Sequence, residues 1–127
     1  MAITFAPKAG MILMCDFNGY VVPEIIKKRP VVVISPNHLK RSGLVTVVPL
    51  STTPPNPPEG HHLEINNQVK NDGSTHWVKC DMVATVRLAR LDRVKTGKRT
   101  FSTISVSKEQ LKQIRECLAL SLGIDIV

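Results

Sequence analysis

The sequence predicts a mainly β protein in which a small, strongly curved antiparallel sheet is covered by one C-terminal helix. Short runs rich in β-branched residues recur along most of the chain and are separated by glycine, proline and asparagine, as in strands joined by turns. Only residues 107–123 show helical periodicity, and a sheet with one helix buries a face against it. At 127 residues the chain is expected to form one domain, residues 1–127.

Six strands are predicted, and each is a short apolar or alternating run. Pro49 would place the third strand at a sheet edge or a bulge, because proline has no N–H to donate. The proline-rich segment 53–60 and the polar segment 66–75 are predicted loops. The predicted strands are 11–17, 31–35, 45–50, 61–65, 77–83 and 88–94.

The C-terminal helix has recognisable signals at both ends. Ser107 and Gln110 match a capping box, and Gly123 occupies a position where a left-handed cap is common. The apolar face is expected to consist of Leu111, Ile114, Cys117, Leu118 and either Ser121 or Leu122.

Charge favours an acidic partner. Seventeen Lys and Arg against ten Asp and Glu give a net charge of +7, for which a polyanionic backbone is the commonest match. Because the chain has only one Trp, one Tyr and three Phe, phosphate contacts should supply most of the affinity, which makes it steeply salt-dependent. The basic residues concentrate at Arg87, Arg90, Arg93, Lys95, Lys98 and Arg99.

The cysteines and histidines give no metal-binding pattern. Cys15, Cys80 and Cys117 are expected to be buried thiols, in keeping with a reducing cytoplasm. His61 and His62 are adjacent, whereas His38 and His76 are isolated, so loop or surface positions are expected. The chain shows neither a signal peptide nor the ~20-residue apolar run of a membrane helix. No metal or other cofactor is expected.

A charged loop enters the second strand. Glu24, Lys27, Lys28 and Arg29 precede Pro30, which pushes Arg29 into an extended conformation where the strand begins. A basic triplet alone is usually a solvated turn. Placed at the mouth of a rigid strand, however, these charges are held in position to act on a ligand.

A second pair of charges lies in the predicted fifth strand. Strand alternation would put Trp77, Lys79 and Asp81 on one face, with Cα atoms of the last two about 6.6 Å apart. Such a pair is either a plain surface ion pair, which stabilises little, or a pair that converges on one phosphate.

Together these segments resemble the MazF/PemK family of bacterial endoribonuclease toxins, in order and spacing over nearly the whole chain. The resemblance implies an SH3-like barrel with a C-terminal helix, a homodimer, and a cognate antitoxin protein as partner. It is carried by 10–17, 23–35, 45–52, 77–81 and the C-terminal helix.

The resemblance implies a cytoplasmic, metal-independent and sequence-selective mRNA interferase that cleaves single-stranded RNA by attack of the ribose 2′-OH. Asp81 is then the candidate general base, and Arg29 and Lys79 are phosphate clamps, one of them the proton donor. Ser51 donates to a phosphate oxygen or only bonds its own turn. Glu24 acts as base or orients Arg29. The expected RNA-binding residues are Lys27, Lys28, Thr52, Trp77 and Arg87.

Two positions depart from the family pattern. Pro23 replaces a histidine found before the acidic residue in PemK-type loops, and Lys79 replaces an arginine. A catalytically silent binding barrel is therefore an alternative. A gyrase-poisoning toxin on the same fold is another, although its sister family uses a tryptophan near the C-terminus and this chain ends without one.

Overall fold

The computed structural model describes residues 3, 5–36, 43–52, 62–66, 75–97, 100–102 and 104–124. Within these ranges, 3₁₀ turns at Cys80–Met82 and Leu88–Arg90 join three of the strands. The strands and the helix are β1 Met11–Cys15, β2 Arg29–Val33, β3 Leu44–Ser51, β4 His62–Asn66, β5 Thr75–Lys79, β6 Ala84–Arg87, β7 Leu91–Asp92, β8 Val94–Gly97, β9 Thr100–Ser102, β10 Ile104–Ser105 and α1 Lys108–Ser121. The expected fold class, mainly antiparallel β with a C-terminal helix, is confirmed.

The main sheet has the order β10-β1-β2-β3-β5-β4, with every pair antiparallel. β1 and β3 each pair with two different strands in turn along the same edge. β1 pairs with β10 and then β7, and β3 pairs with β6 and then β5. Changing partners along one strand turns the sheet through a corner, as in a small SH3-like barrel. β8 and β9 form a separate hairpin.

Strand alternation divides the apolar side chains into two clusters. The helix-side cluster lies between the sheet and α1 and includes Ile12, Val32, Val48, Leu50, Val78, Ile114 and Cys117. The loop-side cluster lies on the other face and includes Leu13, Cys15, Phe17, Val31, Val33 and Val47. Both faces of β2 are therefore buried, which explains its continuous run of β-branched residues.

The predicted helix and its caps are confirmed. The Ser107 hydroxyl accepts from the Gln110 N–H (3.1 Å), and the Gln110 side chain accepts from the Ser107 N–H (3.0 Å). Gly123 has a φ of 73°. Ser121, and not Leu122, completes the inward face, because Leu122 is 57% exposed and the Ser121 hydroxyl lies 3.3 Å from the Cys80 carbonyl oxygen and 2.8 Å from the Leu118 carbonyl oxygen.

Several predicted strand bounds are wrong. The first strand ends at Cys15, and the second begins at Arg29 and ends at Val33. The predicted strand 77–83 ends at Lys79 and is followed by a 3₁₀ turn, and 88–94 divides into the second 3₁₀ turn, β7 and the start of β8.

Pro49 lies inside the sheet and not at its edge. β3 is central, with β2 on one side. Pro49 falls between the residues that pair with β6 and those that pair with β5, and a proline without an N–H is tolerated at such an interruption. The expected loops at 53–60 and 67–74, and His61, lie outside the described residues.

All three cysteines are buried and carry free thiols, as expected. Among the described residues, no helix has the length and apolar character needed to cross a membrane.

Candidate functional site

The loop before β2 is folded around Glu24. The Glu24 Oε1 atom accepts a hydrogen bond from the Val21 N–H (2.9 Å), and the Glu24 N–H donates to the Val21 carbonyl oxygen (2.8 Å). The Val22–Pro23 peptide bond between them is cis. These bonds fix the orientation of the carboxylate at the surface, where Glu24 is exposed. Pro23 therefore lies inside a turn that these two hydrogen bonds close.

Arg29, Ser51 and Trp77 lie on three neighbouring strands. Arg29 is the first residue of β2 and pairs with Cys15, and Ser51 pairs with Trp77 across β3 and β5. The β2–β3 register, which aligns Val31 with Pro49, places Arg29 opposite Ser51 when continued by two residues. The arginine, the hydroxyl and the indole therefore follow one another across the sheet.

Their side chains share one face of that sheet. Arg29 lies on the same face of β2 as Val31 and Val33, which belong to the loop-side cluster. Ser51 is in phase with Val47 of the same cluster. Trp77 and Lys79 flank Val78, which faces the helix-side cluster, so they point the opposite way. Arg29, Ser51, Trp77 and Lys79 thus lie on the loop side of the sheet, and each is half-buried.

Asp81 reaches this side by a turn and not by strand alternation. β5 ends at Lys79, whose φ and ψ of −90° and 76° begin the 3₁₀ turn. The expectation that Lys79 and Asp81 are neighbours along one strand face is therefore wrong. Buried Cys80 anchors the turn through a contact of its Sγ with the Ile114 carbonyl oxygen (3.8 Å), and Asp81 is exposed beside it.

A cleft of about 200 Å³ brings Asp81 and Glu24 together. Both carboxylates line it, although the two residues are far apart in the sequence. The cleft lies on the loop side of the sheet, because Phe17 belongs to the loop-side cluster and Tyr20 and Ile25 pack against it. The described residues that line it are Phe17, Tyr20, Glu24, Ile25, Asp81, Met82, Val83 and Ala84.

Tyr20 and Arg90 were not predicted as parts of this site. Arg90 Nη1 donates to the carbonyl oxygens of Asp16 (2.8 Å) and Asn18 (2.7 Å), and its guanidinium lies 5.1 Å from the centre of the Tyr20 ring. The Phe17 ring meets Tyr20 edge-on, with centroids 5.2 Å apart. The signal available in the sequence was the single tyrosine beside the turn at Asn18 and Gly19.

Some of the basic residues are exposed at the surface, whereas Arg90 is bound within the fold. Lys27, Lys28 and Arg87 are exposed at the surface, as is Thr52 at the end of β3. Arg90, which composition had grouped with the phosphate contacts, is instead bound to backbone carbonyls. Lys98 and Arg99, and the side chain of Lys95, lie outside the described residues.

The thiols behind the site are held protonated. Burial raises the pKa of the Cys80 thiol, and its contact with Cys117 and the charge of Asp81 raise it further. Burial likewise raises the pKa of Cys117. His76 is fully buried in β5, so its predicted loop or surface position is wrong. Across the described ranges, no group of three or more His, Cys, Asp and Glu is arranged to hold a metal ion.

Comparison with known proteins identifies relatives along most of the chain. Residues 8–122 match the family described as PemK-like, MazF-like toxin of type II toxin–antitoxin system. The uncharacterized protein YifN of Escherichia coli (strain K12) is 38% identical, and the match covers 76% of this chain and 78% of that one. An uncharacterized protein of Haemophilus influenzae is 33% identical, and the match covers 67% of this chain and 68% of that one.

Solved structures share the fold. MazF (Form-I) from Deinococcus radiodurans superposes with a TM-score of 0.70 at 18% identity, covering 94% of this chain and 99% of that chain. An endoribonuclease in complex with its cognate antitoxin from Mycobacterial species superposes with a TM-score of 0.68 at 20% identity, covering 96% and 100%. The match over residues 8–122 establishes that the chain belongs to the PemK-like, MazF-like toxins of type II toxin–antitoxin systems.

Proposed function

We propose that this protein is a sequence-selective endoribonuclease that cleaves single-stranded RNA, with messenger RNA as its cellular substrate in the cytoplasm. One observation carries the proposal. Arg29, Ser51 and Lys79 share the loop side of the sheet, and Asp81 lies on the turn that follows Lys79. Two cations, a hydroxyl and a carboxylate on one surface are the groups that phosphodiester cleavage requires.

The reaction uses the nucleophile that RNA itself carries. Asp81 removes the proton from the ribose 2′-OH, and the 2′-oxygen forms a bond to the adjacent phosphorus. The bond from phosphorus to the 5′-oxygen breaks, and that oxygen takes a proton from a cationic side chain. The products end in a 2′,3′-cyclic phosphate and a 5′-OH. Arg29 and Lys79 offset charge on the phosphoryl oxygens, and Ser51 donates a hydrogen bond to one of them.

Lys79 and Arg29 remain the two candidates for the proton donor. Lysine deprotonates far more readily than arginine, which favours Lys79. Glu24, whose carboxylate is fixed by the Val21 N–H, orients Arg29. Around this centre the RNA backbone and bases contact the remaining surface groups, Lys27, Lys28, Thr52, Trp77 and Arg87.

The partners follow from the family. Residues 1–127 act as one toxin unit that assembles as a homodimer, and a cognate antitoxin covers the RNA-binding face. Complexes of this kind are represented among the similar structures by MazE-MazF (Form-II) from Deinococcus radiodurans. An acidic antitoxin segment suits a chain with a net charge of +7.

Incubation of the purified protein with a long single-stranded RNA tests the proposal. Discrete fragments with cyclic phosphate ends are expected. Asp81→Asn, which keeps the shape of the side chain, should slow cleavage by roughly 10²–10⁴-fold, and Arg29→Ala by roughly 10²–10³-fold. Lys112→Ala, on the exposed face of α1, is the matched control and should cleave normally.

Other outcomes identify the alternatives. Intact RNA that migrates as a retarded band would replace the proposal with a catalytically silent binding barrel. Inhibition of DNA supercoiling without RNA damage would replace it with a gyrase poison.

A further inference from the structure

The cleft between Glu24 and Asp81 has a chemistry that differs from the basic surface around it. Among the described residues that line it, the two charged side chains are carboxylates, although the chain carries a net charge of +7. A phosphate would be repelled by this cleft and attracted by Arg29 and Lys79 outside it. An uncharged part of an RNA therefore suits this cleft better than its phosphate does.

The size and walls of the cleft suit one nucleobase. Its volume of about 200 Å³ is below the roughly 300–1,000 Å³ of pockets that enclose whole drug-sized ligands. Tyr20 supplies an aromatic wall, and Ile25 and Met82 supply apolar contacts. Sequence-specific proteins bind single-stranded RNA bases by stacking them on aromatic side chains and reading their edges.

The Tyr20 ring is held in place by neighbouring side chains before any ligand binds. The Arg90 guanidinium lies over the Tyr20 ring, 5.1 Å from its centre, and is itself held by the carbonyl oxygens of Asp16 and Asn18. Phe17 contacts the ring edge-on. Because one ring face is covered by the arginine, the rest of the ring is what a base in the cleft contacts.

The polar edge of the cleft selects among bases. An ionised carboxylate only accepts hydrogen bonds, and the Glu24 carboxylate is already oriented by the Val21 N–H. Guanine presents two adjacent donors, N1–H and N2–H₂, that one carboxylate can accept together. Adenine and cytosine place an acceptor next to their amino group, and uracil places its single N–H between two carbonyl oxygens. A carboxylate therefore favours guanine over the other three bases.

We propose that this cleft is a guanine-binding subsite, in which Tyr20 forms the stacking wall and Glu24 accepts from the N1–H and N2–H₂ edge. Arg90 acts as a positioning residue, because it holds Tyr20 without contacting the base. The inference rests on the proposed RNA substrate, and it assigns part of the sequence selectivity to a single chain. Asp81, across the cleft, is then beside the ribose of the bound nucleotide.

The test uses uncleavable RNA, so that binding is measured apart from catalysis. Fluorescently labelled 2′-O-methyl pentanucleotides carry guanine, inosine, adenine, cytosine or uracil at the centre of a uridine background, and anisotropy gives their dissociation constants. Guanine should bind about tenfold more tightly than adenine, cytosine or uracil, in line with the discrimination from one bidentate contact. Inosine, which lacks the 2-amino group, should fall between.

Variants separate reading of the base edge from stacking. Glu24→Gln should remove most of the guanine preference. Any weakening that acts through Arg29 falls equally on all five oligonucleotides and leaves their ratios unchanged. Tyr20→Leu should weaken all five oligonucleotides by a similar factor. Arg90→Ala should do the same to a smaller extent, and Arg90→Lys should restore part of the loss. Lys112→Ala should leave all five constants unchanged.

The outcomes distinguish this inference from the proposed function. Equal affinities for all five oligonucleotides, or no measurable binding, would overturn the guanine subsite even if long RNA is cut. A guanine preference that survives Glu24→Gln would also overturn it. Guanine-dependent binding by a protein that leaves long RNA intact would instead support the subsite and contradict the endoribonuclease.

Discussion

The hydroxyl of Ser121 lies 3.3 Å from the carbonyl oxygen of Cys80, and it shares its single proton between this acceptor and the Leu118 carbonyl oxygen at 2.8 Å. The contact with Cys80 joins the last turn of α1 to the 3₁₀ turn that carries Asp81. The Cys80 Sγ also contacts the Ile114 carbonyl oxygen in the same helix. The helix therefore both covers the helix-side cluster and holds the segment from which the candidate base projects.

Ser121→Ala should destabilise the protein and loosen this turn. The Cys80 and Leu118 carbonyls lose the one donor that they share, and the net cost of one such bond is about 0.5–1.5 kcal/mol in the free energy of unfolding, which urea denaturation measures. Ser105→Ala, at an exposed serine of β10, is the control and should change stability by less. An equal loss in both variants would show that the Ser121 bond is not what stabilises the turn.

Arg90→Ala should open the turn at 16–20. The carbonyl oxygens of Asp16 and Asn18 lose their shared donor, and a bond from a charged group contributes about 1.5–3 kcal/mol. Since Arg90 is partly exposed, a loss near the lower value is expected in urea denaturation. Because Lys27 and Lys28 lie in the same connection between β1 and β2 as this turn, trypsin should also cut faster after these exposed lysines.

Arg87→Ala is the matched control for that experiment. Arg87 precedes the same 3₁₀ turn but is exposed, so its removal should leave both stability and trypsin cleavage near the wild-type values. Similar proteolysis of the two variants would contradict a bracing role for Arg90.

Features with local causes were predictable from the sequence. The capping box needs only Ser107 and Gln110, three residues apart, and the structure contains it. The β-branched run in β2 likewise favours a strand by its composition and its short length. The extended conformation of Arg29 follows from Pro30 alone.

The turn at Cys80–Met82 could not be predicted in the same way. Val78 and Cys80 are both buried, so the period-two pattern continues past Lys79 although the strand has ended. The turn depends on contacts with Ile114 and Ser121, which are distant in sequence. Alternation alone carries no information about such contacts.

The candidate site also depends on contacts between residues that are distant in sequence. Its charged residues were predicted individually, but the meeting of Glu24 with Asp81 in one cleft depends on the fold. Arg90 shows why composition alone assigned the wrong role to one of the basic residues. A count of cations cannot separate an arginine that faces solvent from one whose donors are bound to backbone carbonyls.

Ser107→Ala should destabilise α1 by removing its N-cap. The Gln110 N–H loses its acceptor, and such a change costs about 1 kcal/mol, within a range of roughly 0.5–2 kcal/mol. Gln110→Ala removes the reciprocal bond to the Ser107 N–H and should cost less, since water can replace an exposed acceptor. Urea denaturation of both single variants and the double variant measures the two bonds. Additive losses would contradict the reciprocal capping box, because coupled bonds are not additive.

The buried thiol of Cys15 should make stability fall in alkaline solution. Burial raises its pKa to about 11 from an ordinary value of 9.0, with Arg90 lowering it and Asp16 raising it. Below pH 9 the thiol is protonated in both states and its contribution is constant. Between pH 9 and 11 the unfolded chain releases the proton and the folded chain keeps it, so unfolding becomes easier by about 1.4 kcal/mol per pH unit. Cys15→Ala should make the slope shallower by this amount and keep the part that comes from Cys80 and Cys117, whereas its packing cost is the same at every pH. Urea denaturation of both proteins at several pH values from 8 to 11, with reductant present, gives the comparison. Two parallel curves would show that Cys15 does not titrate in this range on unfolding.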